Sequence, residues 1–120
     1  MSIAKLGAVV LDCPDPRALA EFYAAVLGGR IEPGGEDWVD LVSDGGTTLA
    51  FQEAPGFVPP NWPEPDGSQQ FHLDLTVEDL NAAHEKVLTL GATLLDEGEP
   101  DRTWRVFNDP AGHPFCLCAS

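Results

Sequence analysis

Two stretches of the chain carry the same order of hydrophobic and polar positions. Residues 7–28 read GAVVLDCPDPRALAEFYAAVLG, and residues 71–91 read FHLDLTVEDLNAAHEKVLTLG. Each stretch begins with alternating apolar and polar residues, continues through an acidic turn into an amphipathic helical pattern, and ends at a glycine. Ala8 and His72 occupy matching places, 64 residues apart. The pattern therefore predicts one supersecondary unit that is used twice.

The first copy predicts four strands and one helix. Alternation over 4–13 indicates a strand, and Asp15 followed by Pro16 is typical of a helix start. The glycine pair at 28–29 ends that helix. Three further strands are expected at 30–32, 38–42 and 47–52, with a hairpin turn at Asp44-Gly45-Gly46.

The second copy repeats this order. A strand is predicted at 71–76 and a helix at 79–90, preceded by a run from Thr76 that resembles a capping box. Cys116 follows Gln52 at the same interval of 64, which matches the last strand of the second copy, at 115–118, with the strand at 50–53. The remaining strands are expected at 92–96, 103–108 and 114–118, and the predicted order of elements is βαβββ twice.

A proline-rich segment separates the two copies. Residues 55–70 hold five prolines and two glycines, which exclude a helix or a central strand. The predicted organisation is one domain, with a first module at about 1–54, a linker at about 55–70 and a second module at about 71–120. Phe57 and Trp62 either attach the linker to the body of the protein or form a lid over a cavity.

The motifs of the chain resemble a known superfamily. The opening VVLDCPDPRALAEFYAAVLGG, the block HLDLTVEDLNAAHEKVLTLGA and the closing FNDPAGHPFCL are similar to vicinal oxygen chelate proteins, which include glyoxalase I, bleomycin-resistance proteins, extradiol dioxygenases and fosfomycin-resistance enzymes. Within that group the whole chain resembles short bacterial glyoxalase-like domain proteins. The resemblance implies an α+β fold in which two tandem βαβββ modules form an incomplete barrel, and it implies a homodimer.

The resemblance also implies where a metal ion would be held. Metal-dependent relatives usually place histidine or glutamine in the first strand of each module and glutamate in the last strand. These four positions correspond here to Ala8, Gln52, His72 and Cys116. Ala8 has no ligand atom and no position carries a carboxylate, so a hard octahedral site is not expected. The sequence predicts either no metal or an altered site of Gln52, His72 and Cys116 for a divalent ion such as zinc, nickel or iron.

Composition and charge exclude several partners. Apolar residues make up 43% of the chain, which excludes a disordered protein, and no apolar run approaches the ~20 residues of a membrane span. A net charge of −14 argues against nucleic acid. The charge serves solubility or adaptation to a salty interior, or it attracts a cationic ligand into an acidic groove. An odd set of three cysteines and no recognisable signal peptide predict a cytoplasmic protein.

Histidine and aspartate residues on the first strands are the leading candidates for chemistry. His72 is either a hydrogen-bonded cavity histidine or a metal ligand or general base, and it is the candidate catalytic residue. Asp74 and Asp12 fall on the same strand faces as His72 and Ala8. These carboxylates either lie in solvent at the strand ends, or they orient His72 and hold a cationic ligand.

The last strand adds two cysteines that share a face. Cys116 and Cys118 either fill the barrel as small apolar side chains or clamp a soft metal together with His72. A nucleophilic cysteine with His72 as its base is a further alternative. Trp104 either stacks on a planar ligand or fills the barrel.

Two other histidines are expected to be structural. His113 lies in the DPAGHPF turn and is predicted to belong to the hairpin, and His84 is predicted to lie on the helix at a surface or boundary position. The candidate ligand-binding residues are therefore Asp12, Gln52, Asp74, Trp104 and Cys118.

Two classes of function fit this sequence. The first is a small-molecule binding protein with a degenerate metal site, which sequesters a cationic compound as bleomycin-resistance proteins do. The alternative is a metal-dependent lyase, isomerase or dioxygenase of the superfamily that uses the altered site of His72, Gln52 and Cys116. A metal-bound water or carboxylate base of the glyoxalase I kind, and the two-histidine, one-carboxylate iron set of dioxygenases, are both disfavoured by the residues present.

Overall fold

The first strand and helix follow from alternation and capping. In the computed structural model, which describes residues 2–43, 45–60 and 71–120, β1 (Ala8–Cys13) buries Leu11 and Cys13. The Asp15 carboxylate caps α1 (Pro16–Leu27) by accepting a hydrogen bond from the Ala18 amide at 3.1 Å. The predicted first strand was too long, because residues 2–7 are exposed and lie outside it.

Three more strands complete the first sheet. They are β2 (Arg30–Pro33), β3 (Trp38–Val42) and β4 (Thr48–Glu53), and the strand order is β1-β4-β3-β2. The β1–β4 pair is parallel and the other pairs are antiparallel. α1 packs on one face of this sheet, where the ring of Tyr23 stacks on Phe51 at 5.8 Å. The opposite face of the sheet is left without a helix from this module.

The second module repeats this topology. Its elements are β5 (Leu73–Val77), α2 (Leu80–Thr89), β6 (Thr93–Asp96), β7 (Trp104–Asn108) and β8 (Pro114–Ala119). The strand order is β5-β8-β7-β6, again with a parallel first pair. Asp79 caps α2 by accepting from the Ala82 amide at 3.0 Å, so the predicted capping box at Thr76 is wrong. The α+β fold of two tandem βαβββ modules is confirmed.

The two modules do not repeat at a single interval. The helix caps Asp15 and Asp79 lie 64 residues apart, but the ladders place Asp12 opposite Gln52 and Thr76 opposite Cys118. Gln52 is thus the counterpart of Cys118. Trp38 and Trp104, which begin β3 and β7, pair with these same two residues.

The consequence is that the match between Gln52 and Cys116 is wrong by two residues. Cys116 pairs with Asp74, and the counterpart pair in the first sheet is Ala50 with Val10. The second module has gained two residues between its helix cap and Trp104, which a comparison of its first strand and helix alone does not reveal.

A buried aspartate shapes the turn between β7 and β8. The side chain of Asp109 is 3% exposed and accepts hydrogen bonds from the amides of Ala111, Gly112 and His113 at 2.9–3.0 Å. Gly112 has a φ of +101°, and a Cβ there would lie 2.6 Å from the Cβ of Pro59. This turn is therefore built around Asp109, and His113 occupies the place in the hairpin that the sequence predicts.

The first residues of the linker are held by backbone hydrogen bonds at the end of the first module. The Ala54 amide bonds to the Cys13 carbonyl at 2.9 Å, and the Phe57 amide bonds to the Ala54 carbonyl at 2.9 Å. Trp62 lies outside the described residues, so both alternatives for the linker, attachment to the body of the protein and a lid, stay predictions. The chain divides after Phe57 into two compact units. Within the described residues, no helix is long and apolar enough to cross a membrane.

Candidate functional site

The open face of the second sheet carries a pocket. Side chains alternate along a strand, so the residues of β8 that do not face α2 are those at 114, 116 and 118. Together with the matching face of the neighbouring strands they enclose a cavity of about 340 Å³. Its lining residues are His72, Asp74, Trp104, Cys116 and Cys118.

Strand register explains why these residues meet. Cys116 lies between Asp74 of β5 and Val106 of β7, and Cys118 lies between Thr76 and Trp104. Cross-strand neighbours on one face are about 5 Å apart, so the two cysteines form the floor between a polar side and an aromatic side. Five of the residues predicted from the sequence are thereby brought together in one module.

His72 and Asp74 form the polar side of the pocket. The Nε2 atom of His72 lies 3.0 Å from Oδ1 of Asp74. The side chain of His72 is 31% exposed and that of Asp74 is 64% exposed, so the carboxylate is open to a ligand. A carboxylate beside an imidazole at this distance orients the ring and supplies negative charge at the mouth of the pocket.

The thiols on the floor are held in their protonated form. Burial, the negative charge of Asp74 and the neighbouring Cys118 raise the pKa of Cys116 from 9.0 to about 12, and a hydrogen bond to Asp74 adds to the shift. Burial and Asp74 also raise the pKa of Cys118. Because the thiolate is the nucleophilic form, this environment is opposite to that of an activated cysteine, and the nucleophile alternative is not supported.

The same three polar residues form a possible metal-binding group. One ligand atom each from His72, Asp74 and Cys116 lie within 4.8 Å of one another. A nitrogen, an oxygen and a sulfur donor fit a borderline ion such as zinc and do not fit magnesium or calcium. Asp74 was predicted as a ligand-binding residue and not as a metal ligand, so the structure adds a carboxylate to the predicted donors.

Sequence reasoning missed the residue that supports Trp104. The guanidinium carbon of Arg102 lies 3.8 Å from the centroid of the Trp104 ring. Arg102 also donates to the Trp104 carbonyl at 2.8 Å and to the Asp96 carbonyl at 2.9 Å. The only signal in the sequence is an arginine two positions before a tryptophan, which is too common to be informative.

The predicted residues of the first module lie in the first unit. Asp12 and Gln52 are exposed and are neighbours in the β1–β4 ladder. Trp38 begins β3 on the same face and donates its indole N–H to Asp40 at 2.9 Å. The set of Gln52, His72 and Cys116 draws on both units and stays a prediction, while Ala8 offers no ligand atom.

The helix side of the second sheet holds a second polar group. His84 is buried, with only 8% of its surface exposed, so the predicted surface or boundary position is wrong. Its Nδ1 accepts a hydrogen bond from Arg105 at 2.8 Å, and its ring lies 5.1 Å from that of Phe107. Arg105 also donates to Asn81 at 2.8 Å. These contacts fasten α2 to the sheet and explain the burial of His84.

Comparisons with known proteins agree on the fold. A family model described as a glyoxalase-like domain matches residues 8–118. A glyoxalase/bleomycin resistance protein/dioxygenase family enzyme from Burkholderia phytofirmans PsJN is 21% identical, with a TM-score of 0.73 and coverage of 97% of this chain and 98% of that one. Among curated proteins, none matches this chain.

Two other solved structures show how varied such proteins are. The chain is similar to an oxidase named ChaP-H2, at 19% identity and a TM-score of 0.69, with coverage of 99% of this chain and 95% of that one. It is also similar to TnmS3, an antibiotic binding protein from Streptomyces sp. CB03234, at 17% identity and a TM-score of 0.64, with coverage of 99% and 98%. Identities this low indicate a shared fold and leave the function to be argued from the site.

Proposed function

Because this chain belongs to the glyoxalase-like domain family of the vicinal oxygen chelate superfamily, we propose that it binds a small, positively charged molecule in the pocket of its second sheet. The observation that carries the proposal is the lining of that pocket by Asp74, His72, Trp104 and two cysteines. A mostly apolar cavity with a few convergent polar groups is the usual form of a small-molecule site. One similar structure is itself named as an antibiotic binding protein.

The charge of the pocket favours a cation. The Asp74 carboxylate is its exposed acidic group, and the protonated thiols of Cys116 and Cys118 add no charge that would repel or attract a ligand. The net charge of −14 raises the concentration of cations near the surface, and Asp74 gives them a fixed partner.

Calorimetric titration with agmatine, a small non-aromatic cation that a cavity of about 340 Å³ can hold, tests this proposal. Binding is expected to weaken as salt rises, because screening acts over about 10 Å at 0.1 M salt. Asp74→Asn should weaken binding about tenfold, since it removes a charged hydrogen-bond partner. Asp101→Asn removes the same charge from an exposed turn of the second module and should change binding little.

Three results would overturn this function. The first is no binding, the second is binding that does not respond to salt, and the third is an equal effect of the Asp74 and Asp101 variants. The third result would mean that only the overall charge of the protein matters.

A metal-dependent activity is the second candidate, and the cluster of His72, Asp74 and Cys116 favours it. These residues would hold a zinc-like ion, and a bound ion of this kind would act as a Lewis acid toward an oxygen of a substrate. Cys116 must lose its proton to coordinate, and its raised pKa therefore predicts that metal affinity increases with pH. Asp74 would also orient His72 and would neutralise part of the charge of the ion.

Cobalt binding provides a readout that does not depend on an unknown substrate. Cobalt(II) held by a thiolate gives an intense near-ultraviolet absorption band, which is expected for the wild type and not for Cys116→Ala. His72→Ala should weaken binding by at least about tenfold, whereas His113→Ala, outside the cluster, should leave it unchanged. No bound cobalt at pH 8 would reject the metal-dependent candidate.

Pairing as a homodimer is a separate part of the proposal, implied by the family. Size-exclusion chromatography with light scattering should give twice the mass of one chain at micromolar concentration. The mass of a single chain would reject the dimer and would leave the pocket of the second module unaffected.

A further inference from the structure

Arg102 is fixed on one side of Trp104 by several contacts. Its Nε and Nη2 atoms donate to the carbonyls of Trp104 and Asp96, and Nη1 lies 3.4 Å from the Asp96 carboxylate. The side chain is only 17% exposed. Gly98, with a φ of +75°, leaves the space that the guanidinium fills, since any side chain there would collide with it. The guanidinium is therefore held between Gly98 and the indole of Trp104.

This arrangement gives the indole one covered face. The guanidinium lies 3.8 Å from the ring centroid, which is the geometry of a cation–π contact. Trp104 nevertheless remains 40% exposed and lines the pocket. An exposed tryptophan that is fixed in advance loses little freedom when a ligand binds.

Because Arg102 covers one face of the Trp104 indole, it also influences which chemical groups bind favourably to the other face. A cation already draws on the electron density of the ring, so a second cation placed on the opposite face gains less than it would over a free indole. A flat uncharged aromatic ring gains from offset stacking and from the removal of apolar area from water. The uncovered face therefore favours an aromatic ring over a cationic group.

We infer that the ligand is an aromatic cation whose ring stacks on Trp104 and whose positive group lies at Asp74. This inference rests on the proposed function and names its ligand class. β5 and β7 are separated by one strand, and Asp74 and Trp104 are also offset by two residues along the strands, so the backbones of the two anchor residues are about 12 Å apart. An aryl group joined to an ammonium or guanidinium group by a short chain fits that separation. Arg102 acts as a positioning residue, since it holds the ring of Trp104.

A matched pair of probes tests the inference. The 2-(2-naphthyl)ethylammonium ion and its fully saturated decahydronaphthyl counterpart have the same charge and nearly the same length. Titration of the wild type should show that the aromatic ion binds about threefold to tenfold more tightly. Trp104→Leu should abolish this ratio, whereas Trp38→Leu, at the corresponding place in the first module, should preserve it.

Arg102→Met tests the positioning role. Loss of the Arg102 guanidinium should lower the ratio of the affinities for the aromatic and the saturated probe toward one. General damage to the pocket would lower both affinities and preserve the ratio. Trp104→Phe keeps an aromatic face and should retain most of the ratio, which excludes loss of folding as the cause. Equal binding of both probes to the wild type would overturn the inference and leave the cation-binding function standing. Binding of neither probe, with agmatine still bound, would also overturn it.

Discussion

The two sheets of this protein have the same topology but different open faces. The second sheet carries the polar residues His72, Asp74 and Cys116 on its open face. The matching positions of the first sheet are occupied by Ala8, Val10 and Ala50. Both sheets form with the same strand order. The first sheet shows that the fold does not need polar groups at these positions. The polar groups of the second sheet are therefore surplus to folding, which is typical of a functional site.

The tryptophans at the start of β3 and β7 show the same contrast. Trp38 donates its indole N–H to Asp40, a residue of its own strand. Trp104 is instead covered by Arg102, which comes from the preceding loop and is tied to β6. The tryptophan at this position makes a hydrogen bond within its own strand in the first module. In the second module it is exposed and is held in place by Arg102.

The largest expected effect is the loss of the turn that supports the second sheet. Asp109→Ala should lower the free energy of unfolding by about 3 kcal/mol, because three backbone amides lose their charged acceptor. Urea denaturation measures the change. A loss below about 1 kcal/mol would show that water replaces the carboxylate and that the turn does not depend on Asp109.

The next effect is a dependence of stability on pH. It is tested with Cys116→Ala, which gives the second sheet the residue that the first sheet has at the matching position, Ala50. The pKa of Cys116 is raised from 9.0 to about 12, so the folded state keeps a proton that the unfolded state loses. The resulting stabilisation is complete below pH 9 and is lost as pH rises toward 12. Wild-type stability should fall by up to about 1.4 kcal/mol for each pH unit from this group alone.

Denaturation curves at pH 8, 9, 10 and 11 provide the measurement. The variant should show a shallower decline than the wild type over this range, whatever its stability at pH 8. Parallel declines in the two proteins would contradict the raised pKa of Cys116.

The helix caps should respond equally, because the two modules share them. Asp15→Ala and Asp79→Ala each remove a carboxylate that accepts from the third following residue, at 3.1 and 3.0 Å. Each variant is expected to lose about 1 kcal/mol in urea denaturation. If the losses of stability in the two variants differ by more than about 1 kcal/mol, the two helix caps do not contribute equally, and the expected equivalence of the modules at this position is contradicted.

The smallest effect on stability is expected at the site itself. His72→Ala copies Ala8 of the first sheet, and the half-exposed ring should cost no more than about 0.5 kcal/mol when it is removed. The same variant should weaken cobalt binding by at least about tenfold. A large loss of stability would mean that His72 serves the fold, and would remove the contrast between the two sheets.

Most of the fold could be predicted from the sequence because it depends on local signals. Alternation, the Asp15-Pro16 start and the glycine pair at 28–29 locate the elements of the first module to within a few residues. The start of the first strand was placed too early, since Ala4 and Leu6 continue the alternation of Ala8 and Val10 although both are exposed. Apolar alternation alone does not tell where pairing with a neighbouring strand begins.

The site could be predicted only in part, because register and side-chain partners are not local. His72, Asp74, Cys116, Cys118 and Trp104 were all identified as candidates from the sequence, and the structure brings them together. The two-residue offset between modules moved the counterpart of Gln52 from Cys116 to Cys118. Neither Arg102 nor the burial of His84 could be predicted, because each depends on contacts that form only when strands and helix pack together.

An amide chemical-shift map tests the central claim that recognition belongs to the second sheet. The ¹⁵N-labelled protein would be titrated with 2-(2-naphthyl)ethylammonium up to millimolar concentration. The predicted result is that the largest shifts occur at residues 72–76, 104–106 and 116–118. Shifts of equal or larger size at residues 8–12, 38–40 and 48–52 would contradict the claim, because these are the matching positions of the first sheet.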